Sequence, residues 1–319
     1  MISFVGAGPG DIELLTVKGQ RLLETADAVI YDRLANPLLL FHCKKTCDFF
    51  YVGKTPYQPS MKQAEINQLL SETPKNYQRV VRLKGGDPEI FGRLTEELEV
   101  VTALGYPFEI VPGITAASGS AAYNGLSLTK RGIARGVTFL TGYVQENQVN
   151  QVMELPKEQT LCLYMGIEAL KSWIPQLKNS PAKDCKLAVI EWGTLGRQRS
   201  VFGTVETIEK ELADKQIQNP AMILMGDAID EASAYPWFEE LDYVKERILI
   251  VSTEVPTMAE LVEYTSQGAD LWWQQVGPTR DTRFDEITQR IKKDGNFSTL
   301  LFKSEQAEMF YREEMETDK

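Results

Sequence analysis

Three places in the chain put an ionisable residue directly after a run that favours β-structure. Ala28-Val29-Ile30-Tyr31 leads into Asp32-Arg33. Phe49-Phe50-Tyr51-Val52 leads into Gly53-Lys54, and Arg79-Val80-Val81-Arg82-Leu83 into Lys84-Gly85-Gly86-Asp87-Pro88. The end of a buried strand is where α/β proteins place working groups; a solvated turn is the plain alternative. The double glycine offers a different chemistry. It lets a ligand approach the main chain closely, and it permits a left-handed backbone. Gly6-Ala7-Gly8-Pro9-Gly10-Asp11 and Val111-Pro112-Gly113-Ile114-Thr115 repeat the theme. Three such strand-end loops so near one another in an α/β pattern suggest a ligand crevice.

The first loop tests a common alternative. A dinucleotide fingerprint needs glycine where Asp11 stands, and Pro9 removes an N–H that a pyrophosphate would use. The reading is therefore a tight loop against a ligand without phosphates. Thr129-Lys130-Arg131 and Arg135 form a basic cluster, suited either to anions or to a solvated face.

Composition sets the limits. The chain has 319 residues, 43% hydrophobic and 25% charged, with net charge −11. That balance argues against nucleic acid as a partner but leaves a local basic site for an acidic substrate. The chain opens on a strand-like Met1-Ile2-Ser3-Phe4-Val5 rather than a signal segment, and no apolar run is long enough to span a bilayer. Cys43, Cys47, Cys162 and Cys185 are sparse and irregular, which fits a reducing cytoplasm. His42 with Cys43 and Cys47 is a poor metal set, with one histidine in the chain and no second cysteine pair, so no metal is expected.

The elements that must position these residues follow from periodicity. Strands are expected at 1–5, 28–31, 49–52, 79–83 and 108–111, with helices at 16–25, 60–70 (N-cap Ser60) and 95–104, the last stopped by Gly105. Residues 1–113 thus form a mostly parallel α/β subdomain. Residues 114–238 form a second. It starts with a small-residue helix at 115–123, continues with strands at 137–141, 161–165, 187–191, 200–204 and 220–226, and has a helix at 207–215. Its shorter connections predict a mixed sheet. A charged linker at 239–246 leads to a small α/β unit at 247–319.

The motifs GAGPGD, YDRL, YVGK, RLKGGDP, FGR, VPGITAASGSAAY, TFLTGY, YMG and EWGT, in this order, resemble the tetrapyrrole methylases across residues 1–238. The resemblance implies two α/β subdomains with S-adenosylmethionine in the cleft between them. Cofactor contacts would fall on Pro9, Gly85, Gly86, Asp87, Ile90, Thr115, Ala116, Met165 and Gly193, and an acid/base pair on Asp32 and Lys54. It implies a homodimer, and transfer of methyl groups to two pyrrole carbons of uroporphyrinogen III, giving precorrin-2. Arg33, Lys130, Arg131 and Arg135 are the candidate clamps for the substrate's carboxylates. The chain departs from the family on the substrate side. Leu94-Thr95 stands where FGRGGEE is usual, and Thr55-Pro56-Tyr57-Gln58 follows Lys54.

RILIV, GADLWWQQVGP and FSTLLFKSEQAEMFY, within 247–319, resemble one lobe of uroporphyrinogen-III synthase. No synthase activity is expected from that part alone, and a separate synthase is a candidate partner. The competing readings are a methylase of a later corrin intermediate and a non-catalytic scaffold that binds the cofactor.

Overall fold

The computed structural model describes residues 1–53, 63–142 and 157–317. The chain folds as two compact units: Met1–Ile114 together with Asp242–Lys319, and Thr115–Leu241.

In the first unit, β1 (Ile2–Gly6), β2 (Ala28–Tyr31), β3 (Asp48–Tyr51), β4 (Val80–Lys84) and β5 (Phe108–Val111) make a parallel sheet ordered β3-β2-β4-β1-β5. β1, β2 and β4 are buried along their whole length, as their near-continuous apolar runs require of strands covered on both faces. Helices α1 (Val17–Thr25), α2 (Gln63–Asn76) and α3 (Leu94–Ala103) lie between strands in the chain. Thr16 caps α1 by accepting from the Gly19 N–H at 3.0 Å. α3 ends as its Gly105 predicts. Gly105 sits at φ +72°, its N–H reaches the Thr102 carbonyl and the Tyr106 N–H reaches Val101, which is the paired bonding of a Schellman cap. α2 runs past the expected stop at Leu70 and carries Pro74 within it; its expected cap, Ser60, lies outside the described residues.

The second unit holds α4 (Ala116–Tyr123), β6 (Gly136–Thr141), β7 (Gln159–Tyr164), α5 (Ile167–Lys178), β8 (Lys186–Glu191), β9 (Arg199–Thr204), α6 (Ile208–Asp214) and β10 (Ala221–Met225). Its sheet, ordered β6-β7-β10-β8-β9, is mixed: β6 and β7 are parallel, and the other pairs are antiparallel. α5 is an element the sequence reading left out. Ile167, Leu170, Trp173, Ile174 and Leu177 are all buried at helical spacing, so the apolar face overrides Pro175 inside the helix.

Residues 242–317 return to the first unit. β11 (Arg247–Ser252), β12 (Asp270–Gln275) and β13 (Thr299–Phe302) form a parallel sheet ordered β12-β11-β13, with α7 (Met258–Thr265), α8 (Asp285–Lys293) and α9 (Glu305–Thr317) in the same stretch of chain. A capping box joins Thr257 and Glu260 at the start of α7. This segment does not keep a core of its own. Trp272, Phe284 and Ile287 share one buried cluster with Leu38, Leu39, Leu40 and Cys47. Phe41 stacks on Phe284 with centroids 4.3 Å apart, and Arg283 donates to the Lys44 and Cys47 carbonyls at 2.9 and 2.6 Å. Such a ring pair adds about 0.5–1.5 kcal/mol beyond the area it covers.

Candidate active site

In the first unit, the loops following β1, β4 and β5 meet backbone to backbone. Gly8 and Gly86 exchange both main-chain hydrogen bonds, with N···O distances of 3.2 and 2.7 Å. A Cβ on Gly6 would stand 2.5 Å from the Gly113 Cα and 2.8 Å from the Gly86 carbonyl oxygen, so only glycine permits this approach. Asp87 fastens the junction. Its Oδ2 accepts from the Gly113 N–H at 3.1 Å and its Oδ1 from the Glu89 N–H at 2.8 Å. Pro9, Gly85, Gly86, Asp87 and Ile90 are all half-buried around this point.

Asp32 follows β2. Its Oδ1 accepts from the Leu34 N–H at 3.0 Å, and its Oδ2 faces the Arg82 Nη1 at 3.6 Å with 29% of the side chain exposed. Arg33 is exposed beside it. Lys54, the expected partner of Asp32, lies outside the described residues.

Behind Asp32 is a buried charge network that the sequence reading did not identify. Glu97 of α3 is 1% exposed and its Oε1 takes Lys84 Nζ at 2.8 Å and Arg82 Nη2 at 3.1 Å. Arg82 also donates to the Leu83 carbonyl at 3.1 Å. Two buried cations face two carboxylates, so the cost of burying charge is offset within the group. Burial pulls the Lys84 ammonium below its ordinary value, the Arg82 charge pulls the same way, and Glu97 pulls it back. The signal was available: two basic residues at i and i+2 in an otherwise apolar strand must share one face and find an acid there.

The four candidates of the second unit lie on α4 or on loops that reach it. Thr115 Oγ1 shares a hydrogen bond of 2.6 Å with Tyr164 Oη, at the end of β7 and next to Met165. Ala116 begins α4. A Cβ on Gly193 would stand 2.3 Å from Ser120 Oγ, so that loop lies directly against α4. Met165, Trp192 and Thr194 hold left-handed backbones at φ +51°, +49° and +71°. For Trp and β-branched Thr these are true outliers, and such strain gathers at working sites. The Thr194 N–H donates to Gln198 Oε1 at 2.8 Å, and the Arg197 guanidinium lies 3.8 Å from the Trp192 ring centroid, which keeps the turn in place.

The basic cluster is more open. Lys130 and Arg131 stand exposed on a turn closed by the Lys130–Ala134 bridge. Arg135 pairs with Glu158 at 2.9 Å with both side chains largely in solvent.

Comparison with known proteins now decides the family. Residues 1–209 match the Tetrapyrrole (Corrin/Porphyrin) Methylases. The chain belongs to the tetrapyrrole methylase family. It is 38% identical over 317 residues to a uroporphyrinogen-III C-methyltransferase of Bacillus subtilis, covering 96% of this chain and 64% of that one. A sirohaem synthase of Pseudomonas fluorescens is 42% identical over 245 residues, 75% of this chain and 52% of that one. The chain thus spans between about half and two thirds of the length of these curated relatives. Among solved structures, the Thermus thermophilus uroporphyrin-III C-methyltransferase in complex with S-adenosylhomocysteine matches with TM-score 0.60 and 33% identity, covering 72% of this chain and 98% of that one. A cobalt precorrin-4 methyltransferase matches with TM-score 0.61 and 27% identity over 72% of this chain. The α/β methylase fold expected from the motifs is the fold observed.

Proposed function

We propose that this tetrapyrrole methylase uses S-adenosylmethionine to methylate uroporphyrinogen III at two pyrrole carbons, C2 and C7, giving precorrin-2 for sirohaem or cobalamin synthesis. The observation that carries the reading is the meeting of the loops after β1, β4 and β5 at glycine positions. It occurs in a chain that resembles an enzyme solved with S-adenosylhomocysteine.

Beside the glycine junction, Pro9, Gly85 and Ile90 are half-buried, and such a small-residue and apolar surface suits an adenosyl group. Pro9, lacking an N–H, makes a poor seat for a diphosphate. By the family resemblance, the residues proposed to hold the donor are Pro9, Gly85, Gly86, Asp87, Ile90, Thr115, Ala116, Met165 and Gly193. Bound, the donor supplies an electrophilic methyl group on a sulfonium. The chain's main contribution is to orient the two reactants in line. Asp32 takes up the proton lost from the macrocycle. The Leu34 N–H and Arg82 fix its direction while its exposed edge stays accessible. Lys54 is its proposed acid partner. Arg33, Lys130, Arg131 and Arg135 receive the substrate's carboxylates. The exposed Arg135–Glu158 pair is worth little and exchanges readily for such a group.

The test is methylation of uroporphyrinogen III by the purified chain, with two methyl additions read by mass. Asp32→Ala should lower turnover while calorimetry shows unchanged affinity for S-adenosylhomocysteine. Unchanged turnover would make Asp32 structural only. Affinity without methylation of this substrate would favour a later corrin intermediate. The same reading makes the protein a cytoplasmic homodimer working beside a separate uroporphyrinogen-III synthase. Sparse cysteines without a disulfide support the cytoplasm, and the family resemblance supports the homodimer. Among the described residues no helix is long and apolar enough to cross a membrane. Light scattering tests the dimer.

A further inference from the structure

The segment 242–317 reaches the strand ends that carry the proposed acid/base residues. Arg290 of α8 donates from Nη2 to Tyr31 Oη at 2.6 Å, and its guanidinium carbon lies 3.8 Å from the centroid of the Tyr51 ring. The two tyrosine rings are themselves 5.3 Å apart. Tyr31 is the last residue of β2, directly before Asp32, and Tyr51 is the last residue of β3, shortly before Lys54. The contact passes forward from there. A Cβ on Gly53 would stand 2.4 Å from Tyr51 Oη and 2.7 Å from the Arg33 N, so the tyrosine hydroxyl, Gly53 and the backbone just after Asp32 are packed without slack.

Arg290 is held on a firm base. In the short turn directly before α8, Arg283 bonds two main-chain carbonyls in the loop leading to β3, and Phe284 stacks on Phe41. A guanidinium can satisfy an in-plane hydrogen bond and a ring face together, which an ammonium does less well. Tyr31 is only 3% exposed, so its hydroxyl needs a partner in the interior. Arg290 supplies it.

We propose that Arg290 is a positioning residue for methyl transfer: through Tyr31 and Tyr51 it fixes the chain that carries Asp32. The segment 242–317 is then part of the methylase machinery, whatever else it does. The proposal rests on Asp32 acting in the reaction as described above.

Two readouts keep the proposal and that reading apart. In Arg290→Met, kcat should fall about 10-fold, the scale expected for a sub-ångström misplacement. The KM for donor and the affinity for S-adenosylhomocysteine should stay within about twofold of wild type. Arg290→Lys should recover part of the loss. Combined with Asp32→Ala, Arg290→Met should cost nothing further, because the residue it positions has gone. Independently of any turnover, hydrogen–deuterium exchange should quicken in Arg290→Met at residues 32–35 and 52–53 and stay unchanged in 115–241. Unchanged exchange at 32–35, or rate losses that multiply with Asp32→Ala, overturns the proposal. A wild-type chain that methylates nothing while these exchange changes appear overturns the function and leaves the positioning contact standing.

Discussion

Replacing Glu97 by Gln tests whether the charge network behind Asp32 is balanced as drawn. The side chain is 1% exposed and its Oε1 is the shared acceptor for Arg82 and Lys84. Gln keeps the shape and one acceptor but removes the charge. Two buried cations then face Asp32 alone, whose Oδ2 is 3.6 Å from Arg82 and partly solvated. Breaking a buried pair from one side costs about 3–5 kcal/mol. In a unit of this size that is a fall of roughly 10 °C in melting temperature. The loss should depend on pH with a definite sign. Lys84 already sits below its ordinary value, and without Glu97 it falls further. The folded state then binds fewer protons than the unfolded chain between that lowered value and the free lysine value near roughly 10.4, so stability rises with pH across that window. Circular dichroism melts at pH 7 to 10 should therefore show the deficit of Glu97→Gln shrinking as pH rises. Adding Lys84→Met, which removes the surplus cation, should restore part of the melting temperature at pH 7. A Glu97→Gln variant melting within a degree of wild type, a deficit that grows with pH, or a double variant less stable than the single would refute the reasoning.

Two further substitutions probe other layers. Gly6→Ala places a methyl group within 2.6 Å of the Gly113 Cα and N, which are backbone and cannot swing aside; S-adenosylhomocysteine affinity measured by calorimetry should drop at least about tenfold. Asp27 accepts from Arg79 and Lys44, which hold its carboxyl well below the usual carboxylate range. Its contribution is complete above the free-chain value of about 3.9 and is lost as pH falls toward the lowered native one. Asp27→Asn should accordingly cost stability at pH 7 and flatten the acid limb of the unfolding curve, an outcome that urea titrations between pH 2 and 7 would reveal.

Most of the fold was readable from the sequence because the buried strands are largely apolar runs, β4 with its Arg82 and Lys84 being the exception, closed by a glycine or a charge. α5 was not, because Pro175 interrupts the pattern that Leu170, Trp173, Ile174 and Leu177 otherwise spell; α2 outran its prediction because the residues after Leu70 add no clear apolar period, yet the helix continues through Pro74. Strand-end chemistry was legible at Asp32 and at the glycine loops, where local sequence dictates local geometry. The Arg82–Lys84–Glu97 network was less so, since its acid comes from α3, the helix after β4, and strand periodicity alone does not say which acid of that helix faces back. Arg290 was out of reach altogether. It stands more than 200 residues from the tyrosine it contacts, and nothing in its neighbourhood announces that partner.

The first unit is discontinuous: its sequence is interrupted by the whole of Thr115–Leu241. Phe41 and Phe49 are made early, while Phe284, which packs on both, emerges from the ribosome only after the intervening block is complete. During synthesis the contiguous block is free to condense first. Until Phe284 arrives, Phe41 and Phe49 lack that apolar cover, so the first unit can be completed only after the second has been made.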